Sequence, residues 1–211
     1  MIKGYFGVPG CGKSTTLVRE YRKNRKKYDK IYSVNIDIEG VERITKEDIR
    51  KYRFKNSLIL WDEITIDYDN RNFKEFTKED KEFWLLHRHM GVDVIYVTQN
   101  YENVDKKIRD LTMELWYMSK SVIPILKEFT TAKRIYRTIN IQENTSELIL
   151  GYRFCNFIES IFVKNVKLVF RRKYYKYFDS WDELNLEKRE QYEESKKENI
   201  DWEFWKEGDF K

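Results

Sequence analysis

An α/β fold, with a parallel sheet flanked by helices, is predicted by three features of this sequence. Short, mostly apolar runs bounded by polar segments recur at Ile2 to Phe6, Ile31 to Val34, Leu58 to Trp61 and Val94 to Val97, as in strands buried on both faces. Helix-like stretches lie between them, and alternating strands and helices build parallel sheets. A glycine-rich turn, Gly7 to Gly12, joins the first strand to the first helix.

That turn reads Gly7-Val8-Pro9-Gly10-Cys11-Gly12-Lys13-Ser14 and fits G-x-x-x-x-G-K-[ST] at every fixed position, in the strand–turn–helix context the motif requires. Its glycines let backbone N–H groups point at phosphate oxygens, where the helix N-terminus adds partial positive charge. Lys13 is expected to reach the β and γ phosphates and the Ser14 hydroxyl to hold Mg²⁺. With Thr15, Gly7 to Ser14 form the expected nucleotide-binding set, including Val8, Pro9 and Cys11 at the free positions. The fold class narrows to a P-loop NTPase of the RecA-like (ASCE) type, with ATP and Mg²⁺ as ligands.

The following helix, predicted from Ser14 to about Lys27, puts Leu17, Val18 and Tyr21 on one face and ends in Arg22, Lys23, Arg25, Lys26 and Lys27, cations suited to a helix C-terminus. The run Leu58 to Trp61 ends in Asp62-Glu63. Hydrolysis needs one carboxylate for the Mg²⁺ shell and a second to polarise water, so Asp62 is assigned to the metal and Glu63 to the water. Lys78 to Met90 predicts a helix with Thr77 as N-cap, Asp80 at the third helical position and Gly91 past its end. The run Val94 to Val97 leads into Thr98-Gln99-Asn100, where Gln99 is the expected γ-phosphate sensor. His87 falls with Phe83 and Met90 on the apolar face and reads as a packed core residue. Arg88, and Arg109 after the sensor strand, are candidate arginine fingers toward a neighbouring subunit, against a plain surface role for each.

The 211 residues suffice for one domain of ordinary size. Residues 1–179 are expected to form the ATPase domain with a basic and aromatic segment at its end, and residues 180–211 an acidic, helical or disordered tail that makes the C-terminal extension charged. That tail holds 11 acidic and 6 basic residues, a net of −5, so the rest of the chain carries +10 and the whole +5. A basic body suggests a polyanionic partner. Lys164, Lys167, Arg171, Arg172, Lys173 and Lys176, interleaved with Phe170, Tyr174 and Tyr175, suit single-stranded nucleic acid or an anionic membrane surface, and equally an ordinary solvated edge. The longest stretch without a charge is nine residues, Gly4 to Gly12. A spanning helix needs roughly 18, so neither a transmembrane segment nor a signal peptide is expected. Cys11 and Cys155 are the two cysteines, too few for a disulfide framework, which makes a reducing, cytoplasmic setting the default.

The phosphate loop, Val34-Asn35-Ile36, Trp61-Asp62-Glu63 and above all Leu86-His87-Arg88-His89-Met90-Gly91-Val92-Asp93-Val94 leading into Val97-Thr98-Gln99 together resemble the zonular occludens toxin (Zot) family of filamentous phage assembly ATPases. The resemblance covers residues 1 to 110 clearly and extends weakly to Tyr175-Lys176-Tyr177-Phe178-Asp179-Ser180. It implies a cytoplasmic ATPase, at the inner face of the host membrane, that drives extrusion of phage single-stranded DNA while coat proteins replace the DNA's binding partner. The expected partners are further copies of the chain, phage single-stranded DNA, phage coat and assembly proteins, and the membrane surface. A DNA-packaging or helicase-like motor with the same ATP chemistry, and a nucleotide-switched scaffold without turnover, are the alternatives.

Overall fold

The structure, a computed structural model, describes residues 1–121, 127–141, 148–154 and 165–178. Lys164 and the 180–211 tail lie outside the described residues. Nine strands are seen among the described residues: β1 (Ile2–Gly7), β2 (Lys30–Val34), β3 (Glu42–Arg43), β4 (Ser57–Trp61), β5 (Asp93–Thr98), β6 (Glu114–Lys120), β7 (Phe129–Ile141), β8 (Leu148–Phe154) and β9 (Val166–Phe170). Four α-helices connect the early strands: α1 (Lys13–Asn24), α2 (Lys46–Lys51), α3 (Lys78–Leu86) and α4 (Lys106–Leu111).

The sheet runs β3-β2-β4-β5-β1-β6-β7-β8, with β9 also on β7. Its first six strands are parallel, so the four apolar runs all became parallel strands as predicted. Alternation explains why those runs carry apolar residues on both faces. Ile59 and Trp61 join one core cluster with Phe83, Trp84 and Ile108 from α3 and α4. Leu58 and Leu60 join the other, with Leu17 and Val18 from α1. The sequence does not announce β7, β8 and β9, which extend the parallel sheet with an antiparallel ribbon.

Helix α3 starts as predicted: Thr77 and Asp80 form a reciprocal capping box. Asp80, fully buried, also accepts two bonds from Arg50 at 3.0 and 2.8 Å and one from the Tyr68 hydroxyl at 2.8 Å. The helix is shorter than expected, closing at Leu86 with a turn up to Gly91 at φ 68°. His87 is buried and its Nδ1 lies 2.8 Å from the Trp84 carbonyl oxygen, a core residue as read. Among the described residues, no helix is long and apolar enough to cross a membrane.

Candidate functional site

Parallel strands end on one edge of a sheet, and in open α/β folds that edge carries the ligand site. Here β1 runs into the phosphate loop, β4 into Asp62-Glu63 and β5 into Thr98-Gln99. Gly10 and Gly12 take φ 69° and 89°, left-handed values that curl the loop, and α1 starts at once after Gly12. Gly7 is needed for a different reason: a Cβ there would stand 2.3 Å from the Met118 carbonyl oxygen of β6. Lys13 Nζ donates to the Gly7 carbonyl at 3.0 Å and the Val8 carbonyl at 3.4 Å, keeping the cation over the loop. Thr15 Oγ1 donates to the Gly12 carbonyl at 2.6 Å. Burial pushes the Cys11 thiol pKa up, with Lys13 opposing, so Cys11 packs as an apolar residue inside the loop.

The Ser14 hydroxyl donates to Asp62 Oδ2 at 2.7 Å. Two hard oxygen donors side by side fit Mg²⁺, which keeps waters and phosphate oxygens at its other positions. Burial raises the Asp62 carboxyl pKa to about 6; the Ser14 bond opposes the rise and Glu63 adds to it. A carboxylate desolvated this far gains from a cation beside it.

Glu63 sits in left-handed backbone, φ 38° and ψ 66°, a conformation that costs a non-glycine residue roughly 1–3 kcal/mol. Its carboxylate is held in place: Oε1 accepts from Thr65 Oγ1 at 2.6 Å, Thr98 Oγ1 at 2.9 Å and the Gln99 backbone N–H at 3.2 Å. The Gln99 side chain is exposed at the end of β5, so its residue meets Glu63 through the main chain. Thr98, buried and bonded to Glu63, is the contact that sequence reasoning missed; its place at the tip of an apolar run beside the acidic strand was the available signal.

Neither candidate finger is brought to this edge. Arg88 is exposed in the turn before β5 starts, and Arg109 lies in the last turn of α4 before β6 starts, its guanidinium 6.0 Å from the Tyr101 ring centroid. Strands β1, β5 and β6 are parallel, so both arginines precede strands at the edge opposite the phosphate loop.

The basic run does not present one continuous face. Lys167 is largely buried, its Nζ 2.7 Å from Tyr5 Oη, 3.6 Å from Glu20 Oε1 and 3.8 Å from the Trp116 ring centroid. Burial lowers its pKa to about 8 against the pull of Glu20. That ammonium is enclosed by Tyr5, Glu20 and Trp116 from β1, α1 and β6, so it is not a free phosphate contact. Arg171 lies against the phosphate loop, donating from Nη1 to the Gly10 carbonyl at 3.1 Å. Arg172, Lys173 and Lys176 remain exposed.

Comparison with known proteins agrees with this architecture. A stretch of 78 residues, 36% of this chain, is 30% identical to the Gene 1 protein of Salmonella phage IKe and 31% identical to that of Enterobacteria phage I2-2. The match spans 21% of the length of either relative. The crystal structure of the N-terminal domain of zonular occludens toxin from Neisseria meningitidis superposes with a TM-score of 0.53 at 15% identity, covering 84% of this chain and 98% of that one, which supports the shared fold. The family model described as "Zonular occludens toxin (Zot)" matches residues 20–180, well over half of the chain. With its parallel sheet and phosphate loop in the P-loop NTPase arrangement, this chain belongs to the Zot family.

Proposed function

We propose that this chain is a Mg²⁺-dependent ATPase that powers assembly and extrusion of filamentous phage single-stranded DNA at the cytoplasmic face of the host membrane. The observation that carries the enzymatic half is Glu63, held by Thr98 and Gln99 beside the Ser14–Asp62 pair and the phosphate loop. A carboxylate fixed by three donors can accept the proton of an attacking water without reorienting. A strained backbone at that residue fits a position set for chemistry.

Lys13 and the loop N–H groups would bind the phosphates, and Ser14 with Asp62 would hold the metal. Bound Mg²⁺ would neutralise charge on the β and γ phosphates. Thr98 and the Gln99 N–H orient Glu63 toward the water. Membership of the Zot family and likeness to Gene 1 proteins of two phages support the phage setting. Oligomeric assembly, single-stranded DNA and phage coat proteins as partners, and contact of Arg172, Lys173 and Lys176 with nucleic acid or membrane belong to the same proposal. Steady-state phosphate release with Mg²⁺ and ATP tests it: turnover that depends on both ligands supports an ATPase, and absence of turnover with nucleotide binding intact supports a switching scaffold.

A further inference from the structure

Strand β9 runs antiparallel to β7, which runs antiparallel to β6, so the chain leaving β9 emerges on the same edge as the phosphate loop. Two hydrogen bonds and one close approach tie the ribbon to the loop there. Thr130 at the start of β7 is fully buried and donates from Oγ1 to the Cys11 carbonyl at 2.7 Å. Arg171, whose own N–H bonds to the Glu128 carbonyl at 2.8 Å, reaches the Gly10 carbonyl from Nη1 and the Lys127 carbonyl from Nη2. Its stem passes so near Gly12 that a Cβ on Gly12 would stand 2.7 Å from Arg171 Cδ. Lys120, at the end of β6, places Nζ 3.0 Å from where a Cβ on Gly10 would be.

Both side chains of Arg171 and Lys120 lie within reach of the loop that receives a polyanion, and among the described residues no carboxylate pairs with either. A guanidinium has five N–H donors. Two of Arg171's go to backbone carbonyls, and Nε is buried without a partner, so one N–H on each Nη remains for an incoming oxygen. A bidentate guanidinium–phosphate contact is the strong form of this interaction.

We propose that Arg171, assisted by Lys120, binds the phosphate chain of the nucleotide seated in its own chain's loop, so that the antiparallel ribbon is part of the nucleotide site. The assignment rests on the ATPase reading above. It makes Arg171 a cis-acting cation, in place of a role in binding DNA, and it connects the ribbon to nucleotide occupancy: the guanidinium that holds the Gly10 and Lys127 carbonyls would hold the phosphate through its remaining N–H groups.

The test measures Mg-ATP, Mg-ADP and AMP affinities of the full chain in a Glu63→Gln background, with Arg171→Gln, Arg171→Lys, Lys120→Gln and Lys13→Ala added singly, beside the melting temperature without nucleotide. Loss of a charged hydrogen bond predicts a roughly 10- to 100-fold weaker ATP affinity for Arg171→Gln, a smaller loss for Arg171→Lys, and AMP binding changed far less. Lys120→Gln, altered at an exposed position, should lose several-fold for ATP with its melting temperature unchanged. Hydrolysis by Arg171→Gln in an otherwise unaltered chain should stay low when mixed with Glu63→Gln subunits; rescue would place the contact in trans and overturn the assignment. Unchanged ATP affinity in Arg171→Gln, with Lys13→Ala still impaired, overturns it while leaving the ATPase reading standing. Equal losses for ATP and AMP with a lowered melting temperature overturn it in favour of a purely structural brace. Failure of the Glu63→Gln parent to bind ATP overturns both.

Discussion

The hydroxyl of Ser14 and Oδ2 of Asp62 meet at 2.7 Å although 48 residues separate them. The contact forms because β1 and β4 flank β5 in one parallel sheet, so the helix start after β1 and the loop after β4 share an edge. The catalytic account depends on that edge being rigid, and its neighbours Thr98 and Gly7 give the first two tests.

Replacing Thr98 by Val removes one of three donors to Glu63 Oε1 while conserving shape in a buried position. Turnover should fall about 10-fold, in keeping with the loss of one orienting hydrogen bond, while KM for ATP stays near its original value. Steady-state kinetics with varied ATP reads both quantities; an effect on KM alone would assign Thr98 to binding.

Gly7→Ala should abolish saturable nucleotide binding. A methyl group would press on the Met118 backbone carbonyl at 2.3 Å, and backbone cannot swing aside, so the loop must leave its place on β6. The melting temperature should fall less sharply than the affinity, which a titration with a fluorescent ATP analogue and a thermal scan can compare.

Arg50→Met leaves Asp80 buried with only the Tyr68 hydroxyl and its capping bonds. Breaking such a pair costs about 3–5 kcal/mol. Arg50 and the other hydrogen bonds hold the Asp80 pKa below its ordinary value, against the effect of burial. The stabilisation is therefore complete above the unfolded pKa near 3.9 and lost as pH falls through the lower folded value. Denaturant melts should show the gap between wild type and Arg50→Met narrowing as pH drops below about 4.

The parallel half of the fold was readable because both-face burial leaves short, mostly apolar runs and the loop between β1 and α1 has a fixed spacing of glycine, lysine and serine. Ser14 is legible from the fixed spacing of that motif, and Asp62 and Glu63 from their place directly after the apolar run Leu58 to Trp61. The ribbon was not readable. Lys167 looks like a surface cation in sequence, yet Glu20, Tyr5 and Trp116, from distant segments, surround it. Arg171 reads as part of a basic run, and only the register of β9 on β7 carries it to Gly10. Thr98 was visible as a polar residue, but its partner came from pairing β4 with β5.

If the exposed cations contact single-stranded DNA, changing Arg172, Lys173 and Lys176 together to Ser should flatten the slope of log K against log salt by about 2, since each phosphate contact releases about 0.7 counterion. ATP affinity should remain as it was, because none of the three touches the phosphate loop. Loss of binding to anionic vesicles with an unchanged DNA slope would move the surface to the membrane instead.

The most direct test of the account is phosphate release by Glu63→Gln measured alongside its ATP affinity. In the proposed mechanism Glu63 positions the water and takes its proton but does not hold the nucleotide, so turnover should fall at least 100-fold with ATP affinity essentially retained. Lys13→Ala should show the opposite division, losing affinity first. Equal turnover in wild type and Glu63→Gln would contradict the assignment of Glu63 and, with it, the mechanism built on this edge of the sheet.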